Sequence, residues 1–426
     1  MNALAPRRAL AVALGLGLAV RLALFTVGLA DPQRFFTLDA GQYMQLARDL
    51  RGGYLEPTSD LFSVGLLRTP GYPLFAAPWL GAGGPAAVIG GQILLSAGVV
   101  TLAFVLTRRL FDAPAAGFAA IVLALDPASI VYTCLLQPET LFTLFLLASA
   151  LAWWTALLGS AAAAALAGIL VGLATLTRPI AVFLPLALLV TPWLRSEFRK
   201  ARRPAVLIAL LLPFALIAGG WIARNALVAG APVLSTIEGT NLLYYRAAGA
   251  LAEERGAPIE QTRAELEREI VARVPPGATS AERSRIESAR AVEILGEHPG
   301  GAVTSALRGA AKLLAGTGMT ALSGLRGDRE PERVEGGLEV TLSGLFALPL
   351  GLSYLAACWG AATAIRSDQR APLVFLAVFL FYLLLISAGP EANTRFRVAM
   401  TPFLAALAGL GWSRMLQKPK PTLGPP

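Results

Sequence analysis

The sequence PAVLIALLLPFALIAGGWIA, residues 204–223, contains no charged residue and is long enough to cross a membrane as a single helix. It follows the basic stretch RSEFRKARR at 195–203 and ends at Arg224. Because basic residues collect on the cytoplasmic side of membrane proteins, this segment is predicted to run outward from the cytoplasm. It therefore indicates a membrane protein and sets the direction of the neighbouring spans.

The composition of the whole chain agrees with that interpretation. Its 426 residues are 55% hydrophobic and only 15% charged, whereas a soluble domain carries roughly 25% charged residues. The net charge of +9 would favour nucleic-acid binding in a soluble protein. Here the basic residues lie in short loops between apolar runs, which is the positive-inside pattern, so no nucleic-acid partner is expected.

Ten apolar runs predict an all-α polytopic membrane protein with about ten transmembrane helices. The predicted spans are 9–30, 86–106, 115–133, 139–158, 162–177, 180–194, 204–223, 339–364, 372–388 and 398–414. The apolar segment 68–80 is too short and too rich in proline to span, which predicts an interfacial helix in the first outer loop. An even number of spans places both termini in the cytoplasm of a bacterial inner (plasma) membrane.

This topology divides the chain into three parts. Residues 1–223 form an N-terminal transmembrane region with a first outer loop at 31–85, residues 224–338 form a large periplasmic or extracellular loop region, and residues 339–426 form a C-terminal transmembrane region with a cytoplasmic tail. The stretches 260–273 and 280–297 have helical charge spacing, so the large loop region is predicted to be largely helical.

The concentrated acidity of the chain lies in the segments predicted to be outside. A membrane enzyme with its site there has no access to cytosolic nucleotide sugars or ATP. It needs a donor that is carried through the lipid bilayer, which points to a polyprenyl-phosphate-linked substrate. The chain holds one histidine, His298, and two cysteines, Cys134 and Cys358, so a cluster of His and Cys metal ligands is not possible. The cysteines are predicted near opposite membrane faces, which disfavours a disulfide.

A series of short motifs follows the predicted spans in order. They are RTPGYP at 68–73, QPE at 137–139, TRP at 177–179, WIARN at 221–225, GAPVLST at 230–236 and NTRFRVAMTPFLAALAG at 393–409. This series resembles bacterial members of the C-type glycosyltransferase superfamily. It is most similar to the family 39 (protein mannosyltransferase-like) and lipid A aminoarabinose transferase group, and the resemblance covers most of residues 1–415.

The resemblance implies an enzyme that moves a sugar, with inversion, from a polyprenyl-phosphate donor to a cell-envelope acceptor (lipid, glycan or protein) at the outer face. The family's carboxylate in the first outer loop carries over to Asp39, in TLDAGQY. Members often have paired acids there, but Ala40 and Gly41 follow Asp39 in this chain. A divalent metal held by paired acids is therefore possible but not favoured, and no cofactor is expected.

The chemistry of such a transfer needs one base. The leaving phosphate is already a stable anion, so no general acid is required, whereas the acceptor hydroxyl or amine must lose a proton. A partly desolvated Asp39 at the membrane face is expected to have a raised pKa, which suits a base. The structural alternative is that Asp39 caps the helix that follows it, and the two roles are compatible.

The other candidates are residues that could contact a substrate. Arginines suit phosphate recognition, and the resemblance extends to the Arg224–Asn225 pair and to Arg395. The predicted substrate-binding residues are Arg68, Tyr72, Glu139, Arg178, Arg224, Asn225 and Arg395. For each arginine the alternative is an interfacial anchor, for Glu139 it is a first-turn acid favoured by the helix dipole, and for Tyr43 and Tyr72 the aromatic belt at the interface is the preferred interpretation.

Two other functions remain open at this point. A transporter or flippase of a lipid-linked or small substrate would depend on ionisable residues inside the membrane, for which Asp126, before Pro127, and Arg21 are the candidates. A scaffold for envelope assembly would instead use the large loop region as a docking surface. The position of the charges in outer segments favours the enzyme.

Overall fold

Helices form the regular secondary structure of the protein, which is described here by a computed structural model over residues 6–52, 66–326 and 337–416. In the N-terminal region the helices are Pro6–Leu29, Ala40–Arg51, Gly71–Leu110, Ala113–Ala124, Pro127–Thr133, Glu139–Leu157, Ala161–Thr177, Leu184–Leu194 and Pro204–Ala229. In the C-terminal region they are Gly337–Arg366, Arg370–Ser387, Thr394–Arg397 and Thr401–Leu416. No β-strand occurs within those described ranges, so the all-α fold class is confirmed.

The described helices that are long and apolar enough to cross a membrane correspond to six of the ten predicted spans, or to seven if one bent helix pair counts as a single span. Six are long and apolar enough by themselves: Arg7–Leu29, Gly71–Leu110, Glu139–Leu157, Pro204–Ala229, Ser343–Arg366 and Arg370–Ser387. Ala113–Ala124 and Pro127–Thr133 form the bent pair, which is either one broken span or a re-entrant loop. Three predicted spans correspond to shorter helices, Ala161–Thr177, Pro179–Leu194 and Thr401–Leu416. The polytopic membrane class is confirmed, while the sidedness of the termini and of the loops stays a prediction.

The predicted interfacial segment and the second span belong to one helix, Gly71–Leu110, which is interrupted at two glycines. Gly84 has φ of +67°, in the left-handed region that favours glycine, and Pro85 follows it. Proline lacks the backbone N–H that would continue the helical ladder. The interruption separates 71–82, which carries Tyr72, from the part of the helix that corresponds to the predicted second span.

The third predicted span is broken at Asp126 and Pro127. Its two helices meet at 55°, because the residue before a proline is pushed out of the helical region and Asp126 has ψ of 119°. Asp126 then caps the second helix by accepting a hydrogen bond from the Ser129 backbone N–H at 2.8 Å. This break turns the chain toward QPE and the start of the helix Glu139–Leu157.

Close helix packing holds the bundle together. A Cβ atom on Gly168 would lie 2.1 Å from the carbonyl oxygen of Leu210, and one on Gly360 would lie 2.0 Å from that of Leu407. Only glycine permits such approaches between spans. The two cysteines are free, as expected, with Cys134 buried and Cys358 exposed.

The large loop region is helical, as predicted. Its helices are Ile237–Asn241, Ala248–Arg255, Ile259–Arg273, Ser280–Glu297, Pro299–Ala315 and Met319–Arg326, with a π-helical turn at Leu242–Ala247. The predicted helices 260–273 and 280–297 are therefore confirmed. Thr279 and Glu282 form a capping box at the start of the second, and a small apolar core around Leu243, Leu266 and Ile270 joins the region's first helices.

Candidate active site

Asp39 lies at the start of the helix Ala40–Arg51, where its side chain makes no capping hydrogen bond. The structural alternative of a helix cap is therefore wrong. The carboxylate instead accepts hydrogen bonds from Arg68 Nη2 at 2.7 Å and from Arg395 Nη1 at 2.6 Å. The Asp39 side chain keeps 30% of its surface exposed, so it is reachable although both of its oxygens are engaged.

Glu139 is the first residue of the helix Glu139–Leu157, which is the first-turn position expected from the sequence. Its side chain is 1% exposed and accepts a hydrogen bond from Arg178 Nη1 at 2.6 Å. The Nε–H of Arg395 donates to the same carboxylate oxygen. Because burying a carboxylate without a partner is costly, these two guanidinium groups are what allows Glu139 to lie inside the protein.

Five of the predicted site residues thus form one cluster, here called the arginine–carboxylate network. Its members are Asp39, Arg68, Glu139, Arg178 and Arg395. They come from the predicted first outer loop, from two turns between helices and from the loop before the last helix. Three guanidinium groups face two carboxylates, so the network carries one positive charge in excess.

The network changes the expected acidity of Asp39. Burial by itself raises the pKa of this carboxyl, but the charges and hydrogen bonds of Arg395 and Arg68 outweigh burial and hold the pKa below its usual value. The expectation of a raised pKa was therefore wrong for the protein without substrate. Burial lowers the pKa of Arg395, but Glu139, Tyr43 and Asp39 outweigh that effect, so the guanidinium stays protonated.

Neighbouring side chains orient the guanidinium groups. Gln42 Oε1 accepts a hydrogen bond from Arg68 Nε at 2.8 Å, and the Arg68 guanidinium lies 5.1 Å from the centre of the Tyr43 ring. In the same way, the Arg178 guanidinium lies 4.9 Å from the centre of the Phe396 ring. The sequence analysis missed Gln42, although its position three residues after Asp39, on the same helix face, was a signal for it.

Tyr72 is buried next to the network rather than exposed in an aromatic belt, so the preferred interpretation was wrong. Its hydroxyl donates to Gln92 Oε1 at 2.6 Å, and its ring meets that of Tyr43 edge-on at 5.2 Å. The Gln92 amide in turn donates to the carbonyls of Thr133 and Leu135. Tyr72 is fully buried and so supports the wall of the site.

Arg224 and Asn225 shape a turn at the end of the helix Pro204–Ala229. Arg224 donates to Asn225 Oδ1 at 3.0 Å and lies 4.9 Å from the Trp221 ring centre. The Asn225 amide donates to the Val233 carbonyl at 2.8 Å. The described contacts thus tie this pair to the turn that follows, and the turn leads to Ser235.

The intramembrane candidates of the transporter hypothesis have internal partners. Arg21 donates to the carbonyls of Gly17 and Ala124 at 3.0 and 2.9 Å. Asp126 caps its helix and lies 3.7 Å from Arg397. All three ionisable side chains are buried. These contacts give Arg21 and Asp126 a structural role inside the helix bundle. The broken span itself is nevertheless a feature that transporters also have.

Within the described residues there is no group of three or more His, Cys, Asp or Glu side chains that could hold a metal ion. Both oxygens of Asp39 and Oε1 of Glu139 accept hydrogen bonds from arginine. The carboxylates of the network hold its guanidinium groups in place, and guanidinium groups are donors that suit anions.

Comparisons with known proteins agree with this architecture. Residues 80–222 match the family model described as dolichyl-phosphate-mannose-protein mannosyltransferase, a range that includes Glu139 and Arg178 but not Asp39 or Arg395. No curated protein matches the chain. The apo crystal structure of the Archaeoglobus fulgidus oligosaccharyltransferase aligns with 95% of this chain and 50% of its own, with a TM-score of 0.54 and 14% identity.

Two further solved structures also align with most of this chain. The A. fulgidus enzyme in complex with zinc and sulfate aligns with 96% of this chain and 51% of its own, with a TM-score of 0.53 and 12% identity. ArnT from Cupriavidus metallidurans bound to undecaprenyl phosphate aligns with 94% of this chain and 77% of its own, with a TM-score of 0.40 and 14% identity. The chain spans about half the length of the archaeal oligosaccharyltransferase.

The fold is therefore similar to that of the A. fulgidus oligosaccharyltransferase, and the match of residues 80–222 to a mannosyltransferase family model agrees with the resemblance that the motif series carries.

Proposed function

We propose that the protein is a glycosyltransferase that moves a sugar from a polyprenyl-phosphate donor to a cell-envelope acceptor at the outer face of a bacterial inner membrane. The arginine–carboxylate network carries this proposal, because its excess positive charge matches the single negative charge of a phosphodiester. Anchoring at an interface does not require three arginines to converge on two carboxylates. The proposed sidedness rests on the basic residues of the predicted inner loops.

The network supplies ligands for the donor phosphate. Arg68 and Arg395 retain 13% and 15% of their side-chain surface, so their guanidinium groups border the accessible side of the site. Guanidinium groups bind phosphate oxygens through paired, charge-assisted hydrogen bonds. Arg178 is more deeply buried against Glu139, so in this proposal it holds that carboxylate and through it the orientation of Arg395.

Donor binding would also activate Asp39. A phosphate that takes hydrogen bonds from Arg68 and Arg395 removes the interactions that depress the pKa of the Asp39 carboxyl. Burial, which raises that pKa, then prevails. The free carboxylate becomes a better proton acceptor when the donor is in place, which makes Asp39 a base that depends on the substrate.

The transfer step follows from these positions. The oxygen or nitrogen of the acceptor attacks the anomeric carbon of the sugar, and the bond from that carbon to the phosphate oxygen breaks. Its electron pair leaves with the polyprenyl phosphate, whose additional negative charge the arginines stabilise. The acceptor proton goes to Asp39. Attack from the side opposite the leaving group inverts the anomeric configuration.

The remaining parts of the chain have supporting roles in this proposal. Tyr72 and Gln92 form the wall behind the network, and Arg224 with Asn225 fixes the turn that joins the last N-terminal span to the loop region. The loop region 224–338 would select the acceptor. The proposed transfer step does not use a divalent metal.

The test compares the purified wild-type protein with Asp39→Asn and with Asp31→Asn. Each is incubated with membranes and a panel of radiolabelled polyprenyl-phosphate sugars. Asp31 lies in the same outer loop and caps a 3-10 turn through the Gln33 N–H, a role that asparagine also fills. We expect transfer by the wild type and Asp31→Asn and its loss in folded Asp39→Asn.

Other outcomes separate the parts of the proposal. Transfer by Asp39→Asn at the wild-type rate would keep the enzyme class and remove Asp39 from the role of base. If the wild type transfers none of the sugars in the panel, the glycosyltransferase proposal fails for those donors, and the transporter and scaffold hypotheses gain support.

A further inference from the structure

An internal cavity of about 20 Å³ lies between the first span and the helices that pack on it. One guanidinium and five hydroxyl groups form its polar lining, and valine and leucine side chains form the rest of the wall. The polar lining comes from Arg21, Ser96, Ser129, Thr133, Thr140 and Thr143. Each of these six residues is at most 7% exposed, so the cavity lies in the interior of the helix bundle.

The Arg21 guanidinium is only partly satisfied by protein groups. Its Nη1 donates to the carbonyl oxygens of Gly17 and Ala124 at 3.0 and 2.9 Å. Its Nε–H is buried and has no hydrogen-bond partner in the described part of the chain. A buried donor without a partner has lost its hydration and gained nothing in return. Because Arg21 lines the cavity, an acceptor inside the cavity would satisfy it.

The hydroxyl groups of the lining use their own protons in other hydrogen bonds. Ser96 donates to the Ile93 carbonyl at 2.6 Å, and Thr143 donates to the Glu139 carbonyl at 2.7 Å. The other three hydroxyl groups donate to oxygen atoms of Asp126, Ser129 and Thr133. Since a hydroxyl oxygen has two lone pairs besides its proton, these groups offer acceptors to a ligand in the cavity.

The size and the donors of the cavity decide which ligand fits. One water molecule needs a cavity of about 10–15 Å³, so the observed volume holds one water and is too small for a phosphate or a sugar. A halide ion needs several donors, whereas the described lining has the Arg21 guanidinium as its one group with a donor to spare. A metal cation would be repelled by the same guanidinium.

We propose that the cavity binds a single water molecule, which accepts a hydrogen bond from Arg21 Nε and donates its two protons to hydroxyl oxygens of the lining. Three hydrogen bonds are the usual number for a buried water. One N–H donor facing several oxygen acceptors matches the one water that both accepts and donates. The inference is independent of the proposed glycosyltransferase function, because it concerns the bundle and not the arginine–carboxylate network.

The water joins the first span to two helices that carry parts of the candidate site. Ser96 lies one helical turn after Gln92, which holds Tyr72, and Thr143 lies one turn after Glu139. The water also gives Arg21 a ligand that is neutral. An arginine in a transport pathway would instead be expected to hold an ion or a charged substrate.

The direct test is a crystal structure of the full-length wild type, grown in bromide and at a resolution that shows ordered water. We expect a density peak within hydrogen-bond distance of Arg21 Nε that has no anomalous signal from bromide. A peak with that signal would identify a halide site, which overturns the proposal and favours the transporter hypothesis. A cavity without density would be dry and would overturn the proposal as well.

A second test compares the melting temperatures of Thr143→Val and Thr101→Val. The control is matched because Thr101 Oγ1 donates to the Ala97 carbonyl at 2.8 Å, four residues earlier in its helix, and Thr101 does not line the cavity. Both variants lose such a bond, but only Thr143→Val also removes an acceptor from the water. It should therefore melt roughly 1–3 °C below Thr101→Val.

A dry cavity predicts the opposite order of the two melting temperatures. Thr143 is 2% exposed, whereas Thr101 is only partly buried, so a valine methyl group gains more from burial at position 143. A melting temperature of Thr143→Val equal to or above that of Thr101→Val overturns the proposed water. If Thr143→Val does not fold, the wild-type crystal structure still decides between water, halide and a dry cavity.

Discussion

The Asp39 carboxylate accepts a hydrogen bond from Arg395 Nη1 at 2.6 Å, across 356 positions of sequence. The Nε edge of the same guanidinium donates to Glu139, so one planar group aligns two carboxylates from different parts of the bundle. A guanidinium has five donors in a fixed plane, whereas an ammonium has three on a flexible stem. Arg395 therefore links the two carboxylates, and its replacement tests the site directly.

Arg395→Lys is expected to weaken the binding of undecaprenyl phosphate roughly tenfold to a hundredfold and to lower the transfer rate at least as much. Lysine keeps the positive charge but loses one of two directed charge-assisted hydrogen bonds, each worth about 1.5–3 kcal/mol. The measurements are equilibrium binding of the lipid phosphate and initial rates of transfer.

The control for that substitution is Arg308→Lys, because the Arg308 side chain is 73% exposed and pairs with Glu253 on the surface. It should change neither binding nor rate, since exposed ion pairs contribute little. Wild-type affinity in Arg395→Lys would show that this arginine is only an anchor and would remove it from the proposed phosphate site.

The depressed pKa of Asp39 predicts a pH profile without an acidic limb near neutrality. The pKa of Asp39 is held below its usual value in the free protein by Arg395 and Arg68. Asp39 therefore stays ionised between pH 8 and about 5, and kcat/KM, which reports the free enzyme, should not decline on its account. The stabilisation from its ion pairs is likewise present above the unfolded pKa and lost only as the pH falls through the folded value. A decline with a midpoint near pH 6 that shifts in Asp39→Glu would contradict this assignment.

Sequence patterns were sufficient for the helices and for the identity of most network residues. Apolar runs located the spans because the bilayer requires continuous hydrophobic stretches, and charge spacing located the helices that include Glu265 and Glu287. The motif series pointed to Asp39 and Arg395 individually. The pattern along the chain did not indicate that these two residues are in contact, because that contact depends on how helices remote in sequence pack.

The predictions that the structure contradicts failed for the same reason, since each depends on contacts between segments remote in sequence. Partial burial of Asp39 was foreseen and its arginine partners were not, so the direction of its pKa was predicted wrongly. Tyr72 was assigned to an interface because aromatic residues near span ends usually lie there, but the interruption at Gly84 folds its segment into the protein. Gln92 was overlooked, although a glutamine inside an apolar run needs internal partners, and Thr133 and Leu135 supply them.

The close contact at Gly168 predicts a sharp loss of stability on adding a single methyl group. In Gly168→Ala the new Cβ would lie 2.1 Å from the Leu210 carbonyl oxygen, so the two spans must separate, at a cost of about 1–3 kcal/mol or more. Gly219→Ala, in the helix Pro204–Ala229, meets nothing within 4 Å and should leave the melting temperature unchanged or raise it. Equal melting temperatures for the two variants would contradict the helix packing described here.

The Arg246–Glu391 contact predicts that Arg246, in the loop region, controls the position of Arg395 without touching the substrate. Arg246→Gln should lower kcat/KM about tenfold by loosening the loop 391–397, since it weakens a charge-assisted hydrogen bond. Hydrogen exchange of that loop should rise in parallel, and Arg246→Lys, which keeps the charge next to Glu391, should restore part of both.

Arg268→Gln is the matched control, because Arg268 is exposed and donates only to the Ala264 carbonyl of its own helix among its described contacts. It should leave the rate and the exchange of 391–397 unchanged. Loss of activity in Arg246→Gln with unchanged exchange would mean that Arg246 binds substrate itself. Faster exchange without loss of activity would mean instead that Arg395 is held well enough by Asp39 and Glu139 alone, so that the Arg246–Glu391 contact does not set the geometry of the site.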